Sequence, residues 1–106
     1  TETARRIAAA APFTARVQTW GDEVYFEAPV KTEPEADARD VMNLGEIAFW
    51  MAGSCIAIGF GRTPVSQGDE IRLASAVNIW GDADIDPETM RTIAPGSQVR
   101  ISARED

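Results

Sequence analysis

Apolar and polar residues change their period several times along this chain, and each change marks an element. Residues 2–11, Glu-Thr-Ala-Arg-Arg-Ile-Ala-Ala-Ala-Ala, are strong helix formers, and Pro12 lacks the N–H that another turn needs, so a short helix is predicted there. From Phe13 to Pro29 the period becomes two. Val24, Phe26 and Ala28 fall on one face, and Glu23, Tyr25 and Glu27 on the other. Gly21-Asp22 supplies the positive φ of a tight turn, which makes this segment a hairpin of two strands. Residues 31–40 are polar, interrupted by Pro34 and aperiodic, and read as a solvent-exposed loop, with a lid over a pocket as the alternative.

Residues 47–51 and 55–60 are two nearly continuous apolar runs separated by Ala52-Gly53-Ser54. That pattern predicts central strands, buried on both faces or closing a barrel, and makes them the core. Gly59 and Gly61 flank Phe60 and predict a sharp bend or a close backbone approach. After a turn at Gly68-Asp69, strands are predicted over 70–73 and 76–80. Asp86-Pro87-Glu88 combines an N-cap, a proline at the first helical position and an acid in the first turn, so a second short helix starts here and ends before Pro95-Gly96. A last strand over 98–102 follows, for about seven strands and two short helices.

At 106 residues the chain suits a single domain over 1–106, long enough for one modest core. Hydrophobic residues make up 44% and charged residues 25%, a globular composition. With 10 Lys+Arg against 17 Asp+Glu the net charge is −7, and the basic residues are scattered apart from Arg5-Arg6. Such an acidic surface repels phosphate backbones, which argues against nucleic acid as a partner. The apolar runs fall well short of the ~20 residues of a membrane span. The first residues lack the apolar core of a signal peptide, and the single cysteine forms no internal disulfide, so a cytoplasmic location is expected. The sequence does not begin with methionine, which predicts that the natural start is processed or missing.

The absence of histidine removes Ser-His-Asp and Cys-His chemistry and the commonest metal ligand. Cys55 lies inside an apolar strand and reads as a buried, inert thiol. Asp82-Ala-Asp84-Ile-Asp86 begins like a calcium loop, but Pro87 and Ile93 stand where that loop needs Gly and a bidentate Glu. Asp86 is better explained as a helix cap, and no metal or other cofactor is expected. Trp20, Tyr25, Phe26, Trp50, Phe60 and Trp80 fall on predicted strands, where core packing accounts for most of them. Trp20 and Tyr25, however, share a hairpin with Glu23. An aromatic floor with one carboxylate also holds cationic or peptide ligands. Thr63, after the bend at Gly61, either bonds a ligand or satisfies its own turn.

Three segments together resemble a family of small prokaryotic proteins with a cyclophilin-like fold and no assigned activity. They are Thr19-Trp-Gly-Asp-Glu-Val-Tyr-Phe-Glu-Ala-Pro29; Gly45-Glu-Ile-Ala-Phe-Trp50 continuing to Ile58-Gly-Phe-Gly-Arg-Thr-Pro64; and Ile71-Arg-Leu-Ala-Ser-Ala-Val-Asn-Ile-Trp-Gly81. The resemblance covers most of the chain from Phe13 on. It implies a mainly β fold, a cyclophilin-like β-barrel of eight strands, closed or nearly so, with two short helices. Family members usually open with a β-hairpin ahead of the first helix, which this sequence lacks. An edge left open in that way invites pairing with a second copy, so either a homodimer through that edge or a gapped barrel is expected. The Phe-His-Arg and Gln-Gly-Gly-Asp signatures of true cyclophilin isomerases are absent.

Three functions follow. The first is a binding module whose pocket, lined by Trp20, Glu23, Tyr25, Thr63 and Asn78, takes a small molecule or an extended peptide. The second is a prolyl isomerase that stabilises a twisted amide with a donor such as Arg62 or Arg72. The third is a scaffold subunit that recruits a partner by strand addition. A pocket reading predicts a cavity containing Glu23 or Arg72 with unpaired polar atoms; a scaffold predicts a filled barrel and a flat apolar patch.

Overall fold

Thr1 caps the first helix, α1 (Glu2–Ala10): its hydroxyl accepts the Ala4 N–H at 2.9 Å, and Glu2 occupies the first turn. The helix buries Thr3 and Ile7 and stops before Pro12, as the composition predicts. The computed structural model describes residues 1–104. Eight strands follow: β1 (Phe13–Arg16), β2 (Gln18–Thr19), β3 (Glu23–Glu27), β4 (Arg39–Met42), β5 (Glu46–Trp50), β6 (Cys55–Gly59), β7 (Ile71–Asp82) and β8 (Gln98–Ile101). The second helix, α2 (Pro87–Met90), lies between β7 and β8 and is capped by Asp86 as expected.

Six strands form one sheet in the order β2-β3-β6-β5-β7-β4, and β1 pairs with β8 in a separate antiparallel ribbon. Val17 is where the chain changes sheets. Its N–H donates to the Ser97 carbonyl and its own carbonyl accepts the Gly96 N–H, which draws the chain away from β3 towards β8. The first arm of the hairpin is therefore split, and only Gln18 and Thr19 remain paired with β3. This split is also why strand pairing does not close a barrel. Among the described residues β2 and β4 are the unpaired outer strands of the six-stranded sheet. The architecture is mainly β with two helices, in two sheets.

Two further expectations need correction. The strands predicted over 70–73 and 76–80 are one strand, β7, because Ala74-Ser75-Ala76 bulges from the ladder without ending it. A four-residue strand, β4, begins within the segment read as a loop. The rest of that segment is tied down. Asn78 Oδ1 accepts the Glu35 N–H at 2.8 Å, and its Nδ2 donates to the Glu33 carbonyl at 3.0 Å and to Thr3 Oγ1 at 3.1 Å.

The central strands are buried on both faces, as their continuous apolar runs predict. Phe49 and Ile56 join Ile7, Val24, Phe26 and Phe60 on one side, while Ala48 and Ala57 join Met42, Ile71, Leu73 and Val77 on the other. The second group lies on a concave face. The sheet curls there until Ile71 of β7 packs against Gly59 of β6, where any side chain would meet the Ile71 methyl. The bare α-carbon of Gly59 is thus what permits the curl.

Candidate functional site

The period of two in β3 sends Glu23 and Tyr25 to the concave face and Val24 and Phe26 to the opposite core. Opposite them on β6 stand Gly59, covered by Ile71, and Ala57, whose small side chain projects little above the sheet. The preceding turn is held from both ends. Trp20 N–H donates to the Glu23 carbonyl at 3.0 Å, Asp22 N–H to the Arg62 carbonyl at 2.8 Å, and Phe60 N–H to the Asp22 carbonyl at 2.8 Å. Gly21 sits at φ +60°, and a Cβ there would lie 2.9 Å from the Arg62 carbonyl. No other residue fits this turn, which fixes where Trp20 stands.

The facing wall comes from β5 and β7. Trp50 ends β5 on the concave face, and its indole N–H donates to Ser75 Oγ at 2.7 Å. Ser75 reaches it because of the irregularity in the β4–β7 ladder. Arg39 pairs with Val77 and Val41 with Arg72, so residues 73–76 of β7 oppose Asp40 alone. Such a bulge re-aims side chains out of the pleat, and here it turns Leu73 and Ala74 towards the hairpin. Between the walls lies a cavity of about 160 Å³, lined by Trp20, Glu23, Tyr25, Trp50, Leu73 and Ala74.

Glu23 sets the electrostatics of this cavity. The residue is only 6% exposed, and its carboxyl makes no hydrogen bond and no ion pair among the described residues. Burial in an apolar setting disfavours the charged form and pushes its pKa up to about 7. The other perturbed carboxyl groups behave oppositely. Arg5 and Arg6 beside Glu2, Arg39 beside Glu46, and Arg72 beside Glu70 each hold the acid below the usual carboxylate range. Two of the three aromatic walls have their polar tips occupied: Tyr25 Oη donates to Gln18 Oε1 at 3.1 Å, and the Trp50 indole is on Ser75. A half-titrated acid at neutral pH, enclosed by aromatic rings, can accept a proton or hydrogen bond, donate one, or neutralise a cation.

Of the residues singled out from the sequence, Trp20, Glu23 and Tyr25 meet in this cavity; Thr63, Arg72 and Asn78 do not line it. Asn78 is fully buried and bolts α1 and the 32–35 segment to β7. Thr63 is buried too, its hydroxyl donating to the Arg72 carbonyl and its N–H to Ser66 Oγ at 3.0 Å. The Arg72 guanidinium lies between Glu70 and Asp40, 2.7 Å from the latter. Trp50, Leu73 and Ala74 are the lining residues that sequence reasoning missed. The small residues Ala74-Ser75-Ala76 within a strand are the one signal that could have pointed to the bulge.

Burial first, then the charges of Glu27 and Glu23, push the Cys55 thiol up, in keeping with an inert sulfur. Asp86 caps α2, accepting from the Glu88 N–H at 3.2 Å and the Thr89 hydroxyl at 2.8 Å. Among the described residues no group of three or more Cys, Asp or Glu side chains could hold a metal ion. No helix is long and apolar enough to cross a membrane. A second, more open cleft of about 500 Å³ lies where β1 diverges from β3.

A family model described as cyclophilin-like matches residues 1–102. Among solved structures, the solution structure of a hypothetical protein from Archaeoglobus fulgidus is similar, with 39% identity, a TM-score of 0.79, and coverage of 95% of this chain and 76% of that one. No curated protein matches.

Proposed function

Starting from the fact that this chain belongs to the cyclophilin-like family, we propose that it is a binding module that takes a small organic ligand, or one side chain of an extended peptide, into the cavity above β3. One observation carries this reading: Glu23 is a buried carboxyl, without a partner of its own, facing an open space walled by Trp20, Tyr25 and Trp50. An unpaired acid in such a setting costs stability, and a protein gains nothing from it unless something arrives to complete it. The volume supports a ligand of modest size, since a cavity of about 150 Å³ accepts a benzene ring.

The isomerase reading has less support. It needs a donor beside a bound amide, and Arg72, one of the two candidates, has its guanidinium engaged by Glu70 and Asp40. Neither Arg62 nor Arg72 lines the cavity.

A thermal-shift screen of the chain against small amines, amides, carboxylates, aromatics and short peptides tests the proposal. A ligand at about 100 times its Kd adds ~2.7 kcal/mol, which for a domain of this size moves Tm by roughly 10 °C or more. The expected result is a class of compounds whose shift disappears in both Tyr25→Ala and Trp50→Ala. No stabilising compound, or a shift that survives both substitutions, refutes it. A proline-isomerisation assay on the same sample tests the second reading directly.

A further inference from the structure

Taking the binding role of this cavity as given, we infer that its ligand is a methylated ammonium group, held by the Glu23 carboxylate against the faces of Trp20, Tyr25 and Trp50. Four observations converge on that class. First, the walls offer few free polar atoms: the Glu23 carboxyl and the Trp20 indole N–H. The Trp50 indole N–H is bound to Ser75 and the Tyr25 hydroxyl to Gln18, so a phosphate or carboxylate would meet one neutral indole donor beside an acid, too little to offset its desolvation. Secondly, the group left free is an acid that lacks a cation, whereas Glu46 and Glu70 have their arginines. Thirdly, three aromatic side chains line the cavity with it, and ring quadrupoles attract a positive charge carried on apolar methyl groups. Fourthly, the chain as a whole carries a net charge of −7, which draws cations and repels anions.

The surroundings of Glu23 contain no charge that would substitute for the ligand. β6 presents Gly59 and Ala57, β5 presents Trp50, and the β7 bulge presents Leu73 and Ala74. The ionisable groups on the neighbouring elements are Tyr25 in the cavity wall, its hydroxyl on Gln18, Asp22 in the turn, itself 3.0 Å from Arg91, Arg62, whose backbone carbonyl holds that turn, and Cys55 and Glu27 further along the sheet. A bound cation therefore requires the Glu23 proton to leave. Burial holds that proton on up to about pH 7, so a ligand of fixed charge competes with it below neutrality.

Two sources share this chemistry: a free quaternary amine, and a methylated lysine side chain of a peptide. Isothermal titration of the chain with choline and with its uncharged isostere 3,3-dimethylbutan-1-ol tests the class. A trimethyl-lysine peptide against its unmodified form, titrated in parallel, separates the sources. At pH 8 the charged member of at least one pair binds, and choline does so at least tenfold more tightly than the alcohol if the source is the free amine. Apparent affinity for that ligand falls about a hundredfold between pH 8 and pH 5, with close to one proton released per ligand below pH 6. In Glu23→Gln, folded as judged by circular dichroism, both the charge preference and the pH dependence vanish.

Equal binding of the isosteres, or affinity that rises as the pH falls, overturns the inference. The cavity would then take a neutral group that accepts the Glu23 proton, and the binding role would stand. Failure of both charged ligands while other compounds in the thermal screen bind likewise overturns the cation class alone. Failure of the whole screen overturns the binding role itself.

Discussion

Replacing Glu23 by Gln should stabilise the protein, and the gain should depend on pH. The glutamine keeps the shape of the side chain and removes the charge, leaving an amide in the same open cavity. In the unfolded chain Glu23 ionises near the ordinary 4.5, whereas in the fold its pKa is about 7. Between those values the native state holds a proton that the unfolded state has lost. The contribution of this group is thus fully present below pH 4.5 and is lost as the pH rises through 7. At 1.36 kcal/mol per pH unit the gap is worth up to ~3 kcal/mol; water entering the cavity mouth screens part of it, so about 2 kcal/mol is expected to be seen. Urea unfolding of both proteins at pH 4.5, 6 and 8 measures it. Subtracting one profile from the other cancels the opposite dependence of Glu46 and Glu70, whose depressed pKa values withdraw stability in acid. The variant should match the parent at pH 4.5 and exceed it by ~2 kcal/mol at pH 8. Parallel profiles, or a variant that is less stable at pH 8, would show that the carboxyl is paired or hydrated after all, and both functional proposals would lose their foundation.

Other consequences of the architecture are open to measurement. Asn78→Ala leaves the Glu35 N–H and the Glu33 carbonyl without their partner in a part-buried setting, and should cost ~3 kcal/mol in urea unfolding; a cost under ~1 kcal/mol would mean that the 32–35 segment is not held by this side chain. Gly59→Ala places a methyl against Ile71 and should cost ~1–3 kcal/mol, with the cavity altered because the curl of the sheet must relax; a neutral substitution would contradict the close approach. The outer strands β2 and β4 are free to pair with another copy, so light scattering at rising concentration should show a dimer, and a monomer throughout would exclude edge pairing.

Local chemistry was legible along the chain. The alternation in β3 separated Glu23 and Tyr25 from Val24 and Phe26 because strand side chains have a period of two whatever they pack against. Asp86-Pro87 announced α2 because a cap needs only its own first turn, and the apolar runs of β5 and β6 announced a sheet buried on both faces. Pairing across the chain was not legible. Nothing near Val17 indicates that it will follow Ser97 in place of β3, and this one exchange divides the β structure into two sheets. The site shows the same division. Alternation put Glu23 on the outward face of a hairpin, where a carboxylate would be solvated. Only the curl of the sheet, with Gly59 admitting Ile71 and the β7 bulge carrying Ser75 to a tryptophan 25 residues away, encloses that face and takes most of the water from the carboxyl. Residue type and period are local properties, so the sequence alone determines which side chains share a face; burial depends on what the rest of the chain lays over that face, and the tertiary structure decides it.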